Sequence, residues 1–64
     1  MDFGNALNAL RVGNKVSRGP WIAEAWLVLS KDEPTIMIEN GRGPQMAWTP
    51  SQYDVLATDW EIVD

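Results

Sequence analysis

The sequence predicts an α+β fold: a small antiparallel β-sheet of about four strands, an N-terminal helix on one face and a short helix before the last strand. Three observations carry that prediction. Apolar residues near the start recur at helical spacing, the middle of the chain alternates with the period of a strand, and a proline-marked helix start precedes a second alternating run at the end.

In "DFGNALNALRVGNK", Phe3, Ala6, Leu7 and Leu10 are separated by three, four and seven residues and fall on one face of an α-helix. Asp2 stands where an N-cap belongs, and Gly13 follows where a left-handed residue ends a helix. Such a helix has one apolar stripe and needs a sheet to cover. "KVSRGPW" reads as a short strand stopped by Gly19-Pro20, because proline cannot donate to a sheet ladder. "EAWLVLS" sets Ala25, Leu27 and Leu29 on one face and Trp26 and Val28 on the other. "TIMIEN" is the β-branched partner strand of a hairpin across the turn "KDEP", and "GRGP" then breaks the run.

Two cap registers fit the segment that follows. Thr49 as cap puts Pro50 at the first helical position, where its missing N–H costs nothing, with Gln52 at the box position. Ser51 as cap puts Asp54 there instead. The Thr49 register is the expected one, giving a helix of about two turns up to Ala57. "TDWEIVD" alternates as a last strand. No repeat or linker divides the chain, so residues 1–64 are expected to fold as one domain.

A 64-residue domain buries only about 60% of the surface of its unfolded chain. The chain has no cysteine and no histidine, so disulfides and the usual zinc sites are ruled out as reinforcement. Dense packing of the four tryptophans and self-association remain, and a homo-oligomer is the expectation. The formal charge of -4 disfavours a polynucleotide partner, whose binding rests on neutralising phosphates. No apolar run is long enough to span a bilayer and no leader pattern opens the chain, so no membrane partner and a cytoplasmic location are expected.

Catalysis is not expected, since the groups that most often act as general base or nucleophile are missing. The carboxylate pairs Asp32-Glu33 and Asp59-Glu61 fall in turn or strand-end positions where solvation accounts for them, and neither a metal site nor a cofactor is expected. The candidate ligand-binding residues are Arg18, Trp21, Trp48, Ser51, Gln52 and Asp54. Trp21 and Trp48 adjoin loop-forming residues and can offer a ring to a base, or else fill a core or an interface. Arg18 has the planar fork that matches phosphate, or it forms a surface ion pair. Ser51 and Gln52 open the short helix, where an anion is favoured, or they only cap it. Asp54 can accept from ribose hydroxyls or favour the helix start electrostatically. Trp26 and Trp60, in mid-strand, are expected to pack.

The order Phe3, Ala6-Leu7, Leu10, Gly13, Lys15-Val16, Arg18, Trp21, Trp26-Leu27, then Trp48, Pro50-Ser51-Gln52, Asp54, Leu56-Ala57 and Asp59-Trp60 resembles a family of small phage and prophage proteins, the Thoeris anti-defence type two-like domain. The resemblance implies a homo-oligomeric sponge, a dimer of dimers, that binds a cyclic nucleotide immune signal of the glycocyclic ADP-ribose or cyclic oligonucleotide type without cleaving it. Many members carry a longer insert where this chain has only "GRGPQMA". The alternative is a protein-interaction module, or a structural phage component, whose aromatic patch docks a polypeptide.

Overall fold

The computed structural model describes residues 1–21, 24–32 and 34–63. Helix α1 spans Phe3–Arg11, strand β1 Lys15–Arg18, and a 3-10 turn Gly19–Trp21. Strands β2 (Trp26–Leu29), β3 (Ile36–Glu39) and β4 (Met46–Ala47) follow, then helix α2 (Gln52–Leu56) and strand β5 (Trp60–Val63). The sheet is antiparallel throughout, in the order β4-β3-β2-β1-β5. The α+β architecture, the helix on one face and the short helix before the last strand are as the sequence predicts. The sheet has five strands where about four were expected, because the two residues of β4 pair with Met37 and Ile38 inside a stretch that reads as loop.

Local chemistry explains the element ends. The Asp2 carboxylate accepts from the Asn5 N–H at 2.8 Å and satisfies one of the orphan donors at the start of α1. Beyond the last turn Gly13 adopts φ 96°, a conformation that a Cβ disfavours, and Asn14 N–H closes back on the Ala9 carbonyl. At α2 the cap is Ser51, not Thr49: Ser51 Oγ accepts from the Asp54 N–H at 3.2 Å, and the Asp54 carboxylate accepts from the Ser51 N–H. A carboxylate at the box position returns both bonds and outweighs the advantage of placing Pro50 at the first helical position.

Strand register sorts the side chains. Val16 pairs with Leu27 and with Ile62, Leu27 with Ile38, and Arg18 with Trp60, so these share one face. Helix α1 lies on that face and closes a core of Ala6, Ala9, Leu10, Val16, Leu27 and Trp60. Trp60 is 1% exposed and is the largest fully buried side chain among the described residues, worth roughly 1.5–3 kcal/mol or more by burial. The opposite face carries Lys15, Ser17, Trp26, Glu39 and Glu61. Ser17 is buried there and satisfied by donating to the Ala25 carbonyl at 2.6 Å. Lys15 sits 5.3 Å from the centre of the Trp26 ring, whose Nε1 donates to Glu39 at 2.6 Å. Glu39 also accepts from Gln45 Nε2, so one carboxylate ties β2, β3 and the β3–β4 turn together.

Candidate functional site

The 3-10 turn after β1, the start of β2, the β3–β4 turn and the start of β5 meet at one end of the sheet. Trp60 is the hub of an aromatic cluster at that end. Trp21 meets it edge-on at 5.6 Å between ring centres, Trp48 does the same at 5.9 Å, and Phe3 tilts against both Trp60 and Trp48. Edge-to-face pairs of this kind contribute about 0.5–1.5 kcal/mol each beyond their buried area. Trp21 and Trp48 are half-buried, so each leans on the core with part of its surface and leaves part accessible. Trp60, expected as strand packing, anchors the whole group and donates from Nε1 to the Asp54 carbonyl at 3.0 Å, which pins α2 above the rings.

Arg18 and Asp54, two of the predicted site residues, are brought together. Arg18 Nη1 donates to Asp54 Oδ1 and Arg18 Nε to Asp59 Oδ1, each at 2.9 Å. The hydrogen bond from Arg18 holds the Asp59 carboxyl below the usual carboxylate range. For Asp54, burial pushes the pKa up, but the bonds from Arg18 and Ser51 outweigh it and the net direction is down. The two carboxylates in turn raise the Arg18 guanidinium. Two carboxylates against one guanidinium leave this triad net negative, which opposes the approach of a phosphate to Arg18.

Ser51 and Gln52 are exposed and line, with Tyr53 and Leu56, a depression of about 500 Å³ on the outer side of α2. Tyr53 and Leu56 are 83% and 76% exposed, an apolar surface that the sequence reading left out. Their period within α2 gives the signal: the helix turns its Asp54 side to the sheet and leaves Tyr53 and Leu56 outward. A second depression of about 210 Å³ is lined by Ala25, Ile38, Asn40, Pro44 and Met46. It lies toward the same end of the sheet as Trp21, whose carbonyl accepts from the Ala25 N–H at 2.8 Å. Of the carboxylate pairs considered from sequence, Glu33 lies outside the described residues. Asp59 is engaged by Arg18. Among the described residues no helix is long and apolar enough to cross a membrane, and no three acidic, histidine or cysteine side chains gather to hold a metal ion.

The fold and this end of it define a class: a five-stranded antiparallel sheet with both helices on one face and a tryptophan cluster, half open, at one end. The family model for the Thoeris anti-defense 2-like domain matches residues 1–63. Thoeris anti-defense 2 of Bacillus phage SP01 is 33% identical over 84 aligned residues, which cover 98% of this chain and 94% of that protein. The chain belongs to the Thoeris anti-defense 2-like family. With 84 aligned positions against 64 residues here, the phage SP01 protein carries additional residues that this chain lacks.

Proposed function

We propose that this protein is a phage anti-defence sponge: it binds a cyclic nucleotide immune signal, of the glycocyclic ADP-ribose or cyclic oligonucleotide type, and sequesters it without cleavage. The reading rests on family membership along nearly the whole chain and on one observation, two half-buried tryptophans flanking Trp60 at one end of the sheet. A purine stacked on an accessible indole gains about 1–3 kcal/mol. Ser51 and Gln52 offer hydroxyl and amide groups at the rim of α2 for ribose or base edges. Sequestration asks only for affinity and abundance, so the lack of histidine and cysteine costs this activity nothing.

Self-association belongs to the same reading. Each depression is open in the single chain, and a homo-oligomer, a dimer or a dimer of dimers, encloses a ligand between copies. The exposed Tyr53, Leu56 and Val55 of α2 supply apolar surface for that contact.

The test is direct. The protein is incubated with a panel of cyclic ADP-ribose isomers and cyclic di- and trinucleotides, thermal stability is followed, and bound material is released by heat and identified. Recovery of an unchanged nucleotide supports the sponge. A converted nucleotide would show an enzyme, and the absence of any stabilisation across the panel would move the function to the docking of a polypeptide.

A further inference from the structure

The chain has five cationic side chains, and a nucleotide carries phosphate, so their placement bears on where the ligand's charge is met. The Met1 ammonium, at the Trp60 end, is engaged by the Thr58 and Trp60 carbonyls. Arg11, in the last turn of α1, and Lys31, in the β2–β3 turn, line a depression at the far end of the sheet, away from the rings. Lys15 lies over Trp26 on the face opposite the helices. Arg18 is at the correct end but is held by Asp54 and Asp59 in a triad of net negative charge.

Arg42 is different. It stands in the β3–β4 turn between Gly41 and Gly43, and among the described residues no carboxylate lies within ion-pair distance of it. The turn itself is fixed at both ends. Glu39 accepts from Trp26 Nε1 and Gln45 Nε2, the Asn40 side-chain oxygen accepts from the Arg42 N–H at 3.0 Å, and Gly41 takes φ 76°. Register places this turn at the Arg18 end of the sheet. Trp26 pairs with Glu39 and Val16 with Leu27, so Arg18, Ala25 and Asn40 fall on one row across the sheet. At about 4.8 Å per strand, that row puts Asn40 about 10 Å from Arg18, at the depression that Asn40 lines with Ala25, Ile38 and Met46.

We propose that the β3–β4 turn is the anion-recognising part of the site, with Arg42 as its cation and the Asn40 amide beside it, over the apolar floor of Ile38 and Met46. The proposal rests on the nucleotide reading above for the rest of the ligand. It assigns Arg18 a positioning role: Arg18 holds α2 and the turn before β5 in place and leaves the phosphate to Arg42. A guanidinium on a phosphate makes charge-assisted, two-point hydrogen bonds. A turn already fixed by Glu39 loses little freedom on binding.

The experiment titrates inorganic pyrophosphate into the nitrogen-15-labelled full chain and follows backbone amides and arginine Nε–H signals by NMR, in the parent and in Arg42→Ala and Arg42→Lys. The expected result is saturable shifts at Asn40–Gln45 and at Arg42 Nε, weakened about tenfold or more in Arg42→Ala and only partly in Arg42→Lys. Shifts centred on Arg18 Nε, on Ser51–Asp54 or on the Arg11 and Lys31 end overturn the proposal, as does an Arg42→Ala response equal to the parent's or no saturable shift at all. The cyclic nucleotide panel is run on the same variants. Pyrophosphate at Asn40–Gln45 with no nucleotide bound upholds this turn and overturns the sponge. A nucleotide bound equally well by Arg42→Ala does the reverse.

Discussion

Replacing Trp60 by alanine removes the hub of the aromatic cluster and is expected to bring the fold close to its limit. Trp60 is 1% exposed, meets Phe3, Trp21 and Trp48 within 6 Å between ring centres, and donates to the Asp54 carbonyl. Truncating a buried tryptophan to alanine costs about 3–5 kcal/mol in lost transfer and cavity energy. A domain of this length has roughly 3–10 kcal/mol in total, at about 0.05–0.15 kcal/mol per residue. Trp60→Phe keeps an aromatic ring but leaves part of the indole volume empty and removes the donor to the Asp54 carbonyl. The lost donor alone costs about 1–2 kcal/mol. Since 1 kcal/mol corresponds to about 4–8 °C for a domain of this size, Trp60→Phe is expected to melt at least roughly 5–15 °C below the parent. Far-UV circular dichroism in urea and on heating measures both variants, at one protein concentration because self-association also moves the midpoint. A Trp60→Ala midpoint within a few degrees of the parent's would refute the assignment of Trp60 as the centre of the core.

Three further outcomes follow from the same geometry. Ser51→Ala is expected to lose about 1 kcal/mol with the capping box, while Thr49→Ala stays within about 0.5 kcal/mol; chemical denaturation of the pair decides the register of the α2 cap. The carboxyls of Asp54, Asp59 and Glu39 lie below their unfolded values, so the stability they give is complete above the unfolded pKa of about 4 and is lost as pH falls through the folded values. Urea midpoints measured from pH 7 down to pH 2 should therefore fall below about pH 4, with a shallower fall in Arg18→Ala, and an unchanged acid profile in that variant removes the triad from the account. Gly41→Ala forces a Cβ into φ 76° and is expected to cost about 1–2 kcal/mol, read as a lower melting point with far-UV ellipticity unchanged at 20 °C.

The elements whose causes are local could be read from the sequence. Asp2 and Gly13 bracket α1 through bonds to residues three to five positions away, and the β2–β3 hairpin declares itself by alternation and a short turn. Strand β4 could not be read, because two residues carry no period and their pairing is decided by β3. The α2 cap was ambiguous between two sound local rules, and the one that returned two hydrogen bonds prevailed.

At the site, the sequence offered Arg18 and Asp54 separately, and the fold joins them while leaving Ser51 and Gln52 on the outer side of α2. Arg18 lies 36 residues from Asp54 and 41 from Asp59, so its engagement by both is a product of β1 pairing with β5 and has no local signal. The role of Trp60 was underestimated for the same reason: its neighbours Phe3, Trp21 and Trp48 come from three separate parts of the chain. Glu39 as the tie between Trp26 and Gln45 becomes visible only once the register of β2 and β3 is known.

The pairing of β1 with β5 also sets the order of events at birth. Lys15–Arg18 is made early, yet the strand that completes one of its sides is Trp60–Val63, so until that segment is made Val16 has neither that neighbour nor the indole that seals the interior. Contacts so far apart in sequence are slow to form because the long intervening loop must close first. The pairing of β1 with β5 is therefore expected among the last contacts that folding makes.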